Sequence, residues 1–258
     1  MHSILSQIVA DKRAEVERLK RERPLAELER IIAERKPALD FARALAGNKT
    51  RIIAEVKRAS PSKGDINPDL DPVETAIIYE RAGAAAISVL TESRYFKGSI
   101  DYLAQIRDAV AVPLLRKDFI FDPYQVYEAR SYGADSLLLI AAILNQDDLS
   151  VLLKLSASLG MDCLVEVHDE REMERAIRAK PAIIGINNRD LKDFSVNINT
   201  TGRLLPMLPQ GTICVSESGI KNRNDIEMLN EWQVNAALIG ESLVAAVDIE
   251  AKMKEFVL

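Results

Sequence analysis

The spacing of apolar residues changes near Thr50. Before it, Ile4, Leu5, Ile8 and Val9, then Val16 and Leu19, recur at the three-to-four-residue interval of one helix face. Leu25, Leu28, Ile31 and Ile32 make a second such face, and Pro24 and Pro37 break the segment into pieces. The pattern predicts a helical extension over residues 1–48 whose charged residues form a solvated face. After Thr50, short apolar runs rich in β-branched residues alternate with amphipathic stretches. The runs are Arg51 to Val56, Ala85 to Leu90, Val112 to Leu115, Ser136 to Ala141, Cys163 to Val167, Ala182 to Ile186, Thr212 to Val215 and Ala236 to Ile239. Helices are expected between them, over Pro72 to Ala82, Asp101 to Ala109, Pro123 to Tyr132, Gln146 to Leu159, Glu170 to Ala179, Thr200 to Leu205, Asn222 to Asn230, and from about Ser242.

Strand alternating with helix implies parallel strands joined by crossovers. Runs apolar on both faces suit a sheet buried on both sides. Eight such units predict a closed (β/α)8 barrel, and the 258-residue length is close to the roughly 250 residues usual for that fold. An open doubly wound sheet is the alternative, but it usually carries a glycine-rich turn after its first strand. Here Glu55-Val56-Lys57-Arg58-Ala59-Ser60 stands in that place. Gly83-Ala84 and Gly133-Ala134 suit helix ends feeding the next strands. With no Pro-, Gly- or Ser-rich linker, one domain over residues 1–258 is expected, with residues 1–48 as its helical extension.

Composition removes several function classes. A net charge of -5 gives no reason to expect a nucleic-acid partner. Cys163 and Cys214 fall inside apolar runs and read as reduced core thiols. With only His2 and His168 as histidines, and no zinc-type Cys/His spacing, no metal is expected. Asp11, Lys12, Arg13 and Glu15 interrupt any signal-peptide core, and no stretch reaches the roughly 18 apolar residues of a membrane span. A cytoplasmic protein with no membrane partner is expected.

Catalytic residues in such barrels sit at the C-terminal ends of strands. Glu55 and Lys57 are two residues apart and share one face of the first strand. If Ile53 faces the barrel interior, both face its mouth; a structural ion pair at a strand end is the plain alternative. Lys117 ends the third run, Glu166 the fifth, and Asn187 and Arg189 the sixth. Two lysines, two glutamates, an asparagine and an arginine on one rim are hard to explain structurally, because buried charge is costly unless paired or used. His168, just past Glu166, reads as a supporting or solvent residue, and His2 as uninvolved.

The loops after the last two runs, Ser216-Glu217-Ser218-Gly219-Ile220 and Gly240-Glu241-Ser242, occupy the recurrent phosphate position of this fold. Small residues there let backbone N–H groups approach an anion. Glu217 and Glu241 would repel phosphate unless they turn away, so binding through backbone is expected. The loop Ser60-Pro61-Ser62-Lys63-Gly64 reads equally as a plain surface loop or as a covering loop bringing Ser60 and Lys63 to a substrate.

At these residues the sequence resembles the indole-3-glycerol phosphate synthases. The resemblance runs through Ile53-Ala54-Glu55-Val56-Lys57-Arg58-Ala59-Ser60-Pro61-Ser62-Lys63-Gly64, Ser88-Val89-Leu90-Thr91-Glu92, Tyr95-Phe96-Lys97-Gly98-Ser99, Leu115-Arg116-Lys117-Asp118-Phe119, Leu164-Val165-Glu166-Val167-His168, Gly185-Ile186-Asn187-Asn188-Arg189-Asp190-Leu191 and Ser216-Glu217-Ser218-Gly219-Ile220. It covers essentially the whole chain and implies a TIM barrel of the ribulose-phosphate-binding type. It also implies closure of a carboxyphenylamino-deoxyribulose 5-phosphate to indole-3-glycerol phosphate, with loss of carbon dioxide and water and no cofactor.

By the same resemblance Lys117 is the general acid, Glu166 the general base of the dehydration, and Lys57 a contact to the substrate carboxylate. Glu55 and Asn187 orient these groups. Ser60, Ser218, Gly219 and Gly240 map to phosphate or substrate contacts, Arg189 to electrostatic support, and Phe96, Phe119 and Leu138 to the wall around the anthranilate ring. Glu241 stands where some members carry serine, which leaves its backbone N–H as the contact. A monomer acting on a phosphorylated small molecule is expected. Two rivals fit the phosphate loops as well. One is another sugar-phosphate barrel enzyme, an isomerase or a Schiff-base aldolase using Lys57 or Lys117; the other is a non-catalytic binder that kept the fold.

Overall fold

The computed structural model describes residues 4–191 and 193–258. His2 therefore lies outside the described residues. Eight parallel strands close into a barrel: β1 (Arg51–Val56), β2 (Ala86–Leu90), β3 (Leu114–Lys117), β4 (Ser136–Ile140), β5 (Asp162–Val167), β6 (Ile183–Asn187), β7 (Ile213–Glu217) and β8 (Ala236–Ile239). Each pairs with its sequence neighbours, and β8 closes on β1 through Arg51↔Ala236 to Ala54↔Ile239.

Two-residue periodicity divides every strand between two environments. Ile53, Leu115, Leu138, Ile140, Leu164, Val215 and Leu238 pack together inside the barrel. Ile52, Ala54, Leu114, Leu137, Leu139, Val165, Ile184 and Ala237 belong to the outer apolar layer beneath the helices. That layer packs under α4 (Pro72–Arg81), α5 (Ile100–Ala109), α6 (Pro123–Ser131), α7 (Gln146–Ser158), α8 (Glu170–Ala179), α9 (Asn199–Leu204) and α10 (Arg223–Glu231). No described helix is long and apolar enough to cross a membrane.

The extension forms α1 (Ile4–Glu22), α2 (Leu25–Glu34) and α3 (Phe41–Leu45). Leu28 of α2 and Val16 of α1 pack with Tyr124 of α6 in a small separate cluster. The five-residue α3 is too short for a periodic signal. Its Phe41 and Leu45 are fully buried against Ile53, Ala86 and Ala236, closing the floor of the barrel. Asp162 at the start of β5 accepts the Ala42 N–H at 2.9 Å and holds the plug in place.

Several boundaries differ from the sequence expectation for local reasons. β3 lies two residues further on than the run Val112 to Leu115, because Pro113 has no N–H for the ladder and the charged Arg116 and Lys117 continue it. β7 extends past its apolar run through Ser216 and Glu217, which pair with β6 and β8. The single final helix expected from Ser242 is two, α11 (Glu241–Val244) and α12 (Ile249–Phe256), because Asp248 caps the second by accepting the Ala251 N–H at 2.9 Å. The loop after β1 folds as a small antiparallel hairpin, Ala59–Ser60 with Gly64–Asp65, which buries Ser60 and leaves Lys63 exposed.

Candidate active site

A cavity of about 430 Å³ opens at the C-terminal ends of the strands. The inward parity set by Ile53 carries through to Glu55 and Lys57, which pair at 2.6 Å. From β3, Leu115 and then Lys117 point the same way. Lys117 Nζ lies 3.3 Å from Glu166 Oε2 of β5 and 3.5 Å from Glu217 Oε2 of β7. Asn187 ends β6 and accepts the Arg189 N–H at 3.0 Å. Every residue the sequence singled out for the site lines this one cavity: Glu55, Lys57, Ser60, Phe96, Lys117, Phe119, Leu138, Glu166, Asn187, Arg189, Ser218, Gly219, Gly240 and Glu241. Lys63 lines it too, whereas His168 lies behind Glu166.

The Glu217 side chain turns away from the loop after β7, as backbone binding there requires, and its carboxylate enters the barrel, where its exposure is 1% and neither oxygen has a hydrogen-bond partner among the described residues. Parity would have found it, since Ile213, Val215 and Glu217 follow the alternation that places Lys57. Gly185 on β6 makes room for it: a Cβ there would stand 2.1 Å from Glu217 Oε1.

The charges are mutually dependent. Burial disfavours the Lys117 ammonium, but Glu166, Glu217 and Glu55 overcome that and hold it above the ordinary lysine range. Burial would protonate Glu166, yet Lys117 and His168 outweigh it and keep this carboxylate below the usual range, with Asn187 also favouring the ionised form. Burial pushes Glu217 up to about 8 against the pull of Lys117, with Glu166 and Glu55 adding to the rise. Two carboxylates beside one ammonium thus divide their roles, one ionised and one keeping its proton at neutral pH.

The cavity has an apolar side and a side built from the turns that leave β7 and β8. The Phe96 and Phe119 rings lie 6.1 Å apart at 43°, and Leu138 lies in the same wall. Ile4, Leu5 and Ile8 of α1 complete it, a contribution from the extension that sequence reading did not anticipate. Buried Glu92 shapes the loop carrying Phe96 by accepting the N–H groups of Arg94, Tyr95 and Phe96 at 3.0, 2.6 and 3.0 Å. Gly98 closes that loop, and a Cβ there would lie 2.2 Å from the Leu90 carbonyl oxygen and 2.9 Å from that of Glu92. Gly98→Ala is therefore expected to destabilise the fold by about 2 kcal/mol. It should also raise KM several-fold, which thermal melting and steady-state kinetics would check; unchanged values for both would refute the constraint.

On the other side Ser218 and Gly219 have φ of 67° and 82°, so the chain turns back on itself after β7. Asn188 fixes this turn by donating to Ser216 Oγ and to the Ser218 carbonyl, both at 3.0 Å. The Ser242 hydroxyl donates to the Ile220 carbonyl at 2.6 Å and ties together the exits of β7 and β8. α11 begins at Glu241, and the first N–H groups of a helix lack intrahelical partners. The Glu241 carboxylate turns to Arg189 at 3.5 Å and Lys63 at 3.6 Å, so its repulsion is offset by two cations.

Fold and site together define a barrel enzyme, with a buried ammonium among acidic side chains between an apolar wall and a rim of small residues at the exits of β7 and β8. The family described as indole-3-glycerol phosphate synthase matches residues 5–256. The chain belongs to that family. It is 54% identical over 256 residues to the indole-3-glycerol phosphate synthase of Dehalococcoides mccartyi, covering 98% of this chain and 99% of the relative. The protein of the same description from Roseiflexus sp. is 47% identical over 264 residues, covering 99% and 98%.

Solved structures share the fold at low identity. Thiamine phosphate pyrophosphorylase from Pyrococcus furiosus aligns with a TM-score of 0.63 at 14% identity, over 84% of this chain and 96% of that one. The 3-hexulose-6-phosphate synthase from Salmonella typhimurium aligns with a TM-score of 0.63 at 9% identity, over 80% and 96%.

Proposed function

We propose that the protein closes 1-(2-carboxyphenylamino)-1-deoxyribulose 5-phosphate to indole-3-glycerol phosphate, releasing carbon dioxide and water, as a carboxy-lyase of tryptophan biosynthesis. The observation that carries this reading is the Lys117 ammonium held between Glu166 and Glu217 in the same cavity as the Phe96–Phe119 wall. The aromatic ring lies against that wall and Leu138. The phosphate lies at the rim of Ser60, Ser218, Gly219, Gly240 and the Glu241 N–H, with Arg189 adding positive charge nearby. Lys57, fixed by Glu55, faces the ring carboxylate.

Ring closure turns the ketone oxygen into an alkoxide as the carboxylate-bearing ring carbon attacks the ketone carbon. Lys117 gives that oxygen a proton. An ammonium stabilised by the Glu166 and Glu55 carboxylates donates only to a strong base, and an alkoxide is one. Loss of carbon dioxide from the attacking carbon then restores aromaticity. In the dehydration Glu166 takes a proton from the new ring, the electrons of that bond form the ring double bond as the C–O bond breaks, and the departing hydroxyl takes a proton from the Lys57 ammonium and leaves as water. Proton transfer of this kind contributes about 10²–10⁴-fold, and holding the flexible substrate folded supplies much of the rest.

The working unit is read as one domain over residues 1–258, residues 1–48 being its extension, active as a cytoplasmic monomer. The large exposed apolar side chains Leu25, Leu39, Val151, Val196 and Val247 come from separate segments, which fits a monomer. The test is indole-product fluorescence on adding the substrate. The native chain is expected to turn it over, and Glu166→Gln to lose about 10²-fold in kcat with its fold intact. Well-folded native protein giving no product would overturn the reading. Substrate trapped on a lysine by borohydride would favour a Schiff-base aldolase instead.

A further inference from the structure

His168 does not line the cavity, yet its ring lies between two carboxylates. Nε2 is 3.3 Å from Glu166 Oε1, and Nδ1 is 2.9 Å from Glu172 Oε2. The same Glu172 oxygen accepts the His168 backbone N–H at 2.9 Å. Glu172 in turn stands in the first turn of α8, its own N–H bonded to Asp169 at 2.9 Å. Side-chain exposure is 10% for His168, 4% for Glu166 and 14% for Glu172. A neutral imidazole has one N–H and one lone pair, so it would turn a lone pair on one of these carboxylates. The Nδ1 contact is a hydrogen bond, whereas Nε2 faces Glu166 at ion-pair distance without one, and only the imidazolium turns positive charge to both carboxylates.

The two oxygens of Glu166 therefore face different cations. Oε2 faces Lys117, whose proton the reaction uses, and Oε1 faces His168, whose proton it does not. The charged groups against the imidazole are Glu166 from β5 and Glu172 from α8. Against Glu166 stand Lys117 from β3, Glu217 from β7 and, as a polar neighbour, Asn187 from β6. When Lys117 passes its proton to the ketone oxygen it becomes a neutral amine. A buried carboxylate deprived of its counter-charge takes up a proton. Glu166 would then be disabled as a base just before the step that needs it.

We propose that His168 is a positioning residue: clamped as an imidazolium by Glu172, it keeps Glu166 ionised and aimed while Lys117 is discharged. This rests on the roles given above to Lys117 and Glu166. Burial opposes the charged ring, but Glu166 and Glu172 hold it up to about 10, so the clamp persists throughout the neutral range.

The experiment is a set of pH–rate profiles for the native enzyme, His168→Asn, His168→Gln and Glu172→Gln, with an NMR titration of the imidazole. His2 is the only other histidine, so the His168 signal is assigned by its loss in the variants. In the two His168 variants, kcat should fall about tenfold at neutral pH, with KM within about twofold. The acid limb of the profile should move up by about one pH unit, the shift that a tenfold smaller ionised fraction represents.

In Glu172→Gln the imidazole should lose its proton at lower pH than in the native enzyme, and kcat should fall with it. In the native protein the ring should remain charged beyond pH 8. A ring titrating below pH 7, or His168 variants with lowered thermal stability but a native kcat and acid limb, would overturn the proposal and leave His168 a purely structural contact. If native protein makes no product, the synthase reading fails, and the titration alone still decides whether the clamp exists.

Discussion

Lys117→Ala should lower kcat by about 10³–10⁴-fold at neutral pH while the protein keeps its fold, because three losses coincide. The proton donor to the ketone oxygen disappears. So does the positive charge that stabilises the alkoxide as it develops. Glu166 also loses the cation 3.3 Å from Oε2 and depends on the His168 imidazolium alone to stay ionised, so its proton uptake moves up towards the accessible pH range. Glu217, already pushed up to about 8, takes a proton more firmly still. The native profile should be flat through neutral pH, because Lys117 is held above and Glu166 below their ordinary ranges. The variant should show a rising acid limb within the accessible range, and small primary amines added to the assay should restore part of the rate. Fluorescence-monitored kinetics read all of these; a loss below about tenfold in well-folded protein would remove Lys117 from the proton-donor role.

The largest effect on stability is expected one residue further on. Asp118 is 2% exposed and receives Lys12 of α1 at 3.2 Å, Arg116 at 3.2 Å, the Thr91 hydroxyl at 2.6 Å and the Phe119 N–H at 2.8 Å. Removing one member of a buried ion network typically costs about 3–5 kcal/mol. Lys12 keeps Glu15 at 2.9 Å and Arg116 keeps Glu128 at 2.7 Å, which places Asp118→Ala near the lower end, about 3 kcal/mol. For a chain of this size that is a fall of roughly 6–12 °C in Tm.

The acid behaviour follows from the same contacts. Burial works against the Asp118 carboxylate, but Lys12 and Arg116 overcome it and hold the group down to about 2 from an ordinary 3.8. A depressed carboxylate stabilises the fold fully above its unfolded value and loses that contribution as pH falls through the folded one. Stability on the order of 2 kcal/mol should therefore disappear between about pH 4 and pH 2. Urea melts at stepped pH should show this fall in the native chain and not in Asp118→Asn. Equal slopes in the two would mean that the network contributes no such term. Because Lys12 anchors the helix that carries Ile4, Leu5 and Ile8 over the cavity, KM should rise along with the loss of stability.

The sequence carried the barrel clearly, because eight apolar runs alternating with amphipathic stretches admit few topologies. It carried the cavity residues nearly as well, because parity on one strand, Ile53 to Glu55 to Lys57, is a local property. What it hid is either polar or remote. Glu217 was missed because an apolar criterion ends β7 at Val215, two residues short of the charge. α3 gives no periodicity in five residues, and its plug function depends on Phe41 meeting Ala86 and Ala236 from distant strands. The part of α1 in the apolar wall depends on a pair between Lys12 and Asp118, 106 residues apart in the chain. His168 could be placed beside Glu166 from the order of residues alone, but not between Glu166 and Glu172, since that needs the path from β5 into α8.

The run Arg116-Lys117-Asp118 puts three charges on consecutive residues at one strand end. Lys117 faces the reaction, whereas its neighbours join the buried network that anchors α1. Chemistry and anchorage are thus interleaved in a single reading frame. A point substitution touches one or the other. A one-residue insertion or deletion within β3 exchanges the two, placing a guanidinium or a carboxylate in the catalytic position and the lysine among helices that have no use for it. In this stretch the protein can drift by replacement but not by length, and related chains that keep the activity should vary in their loops while β3 keeps its count.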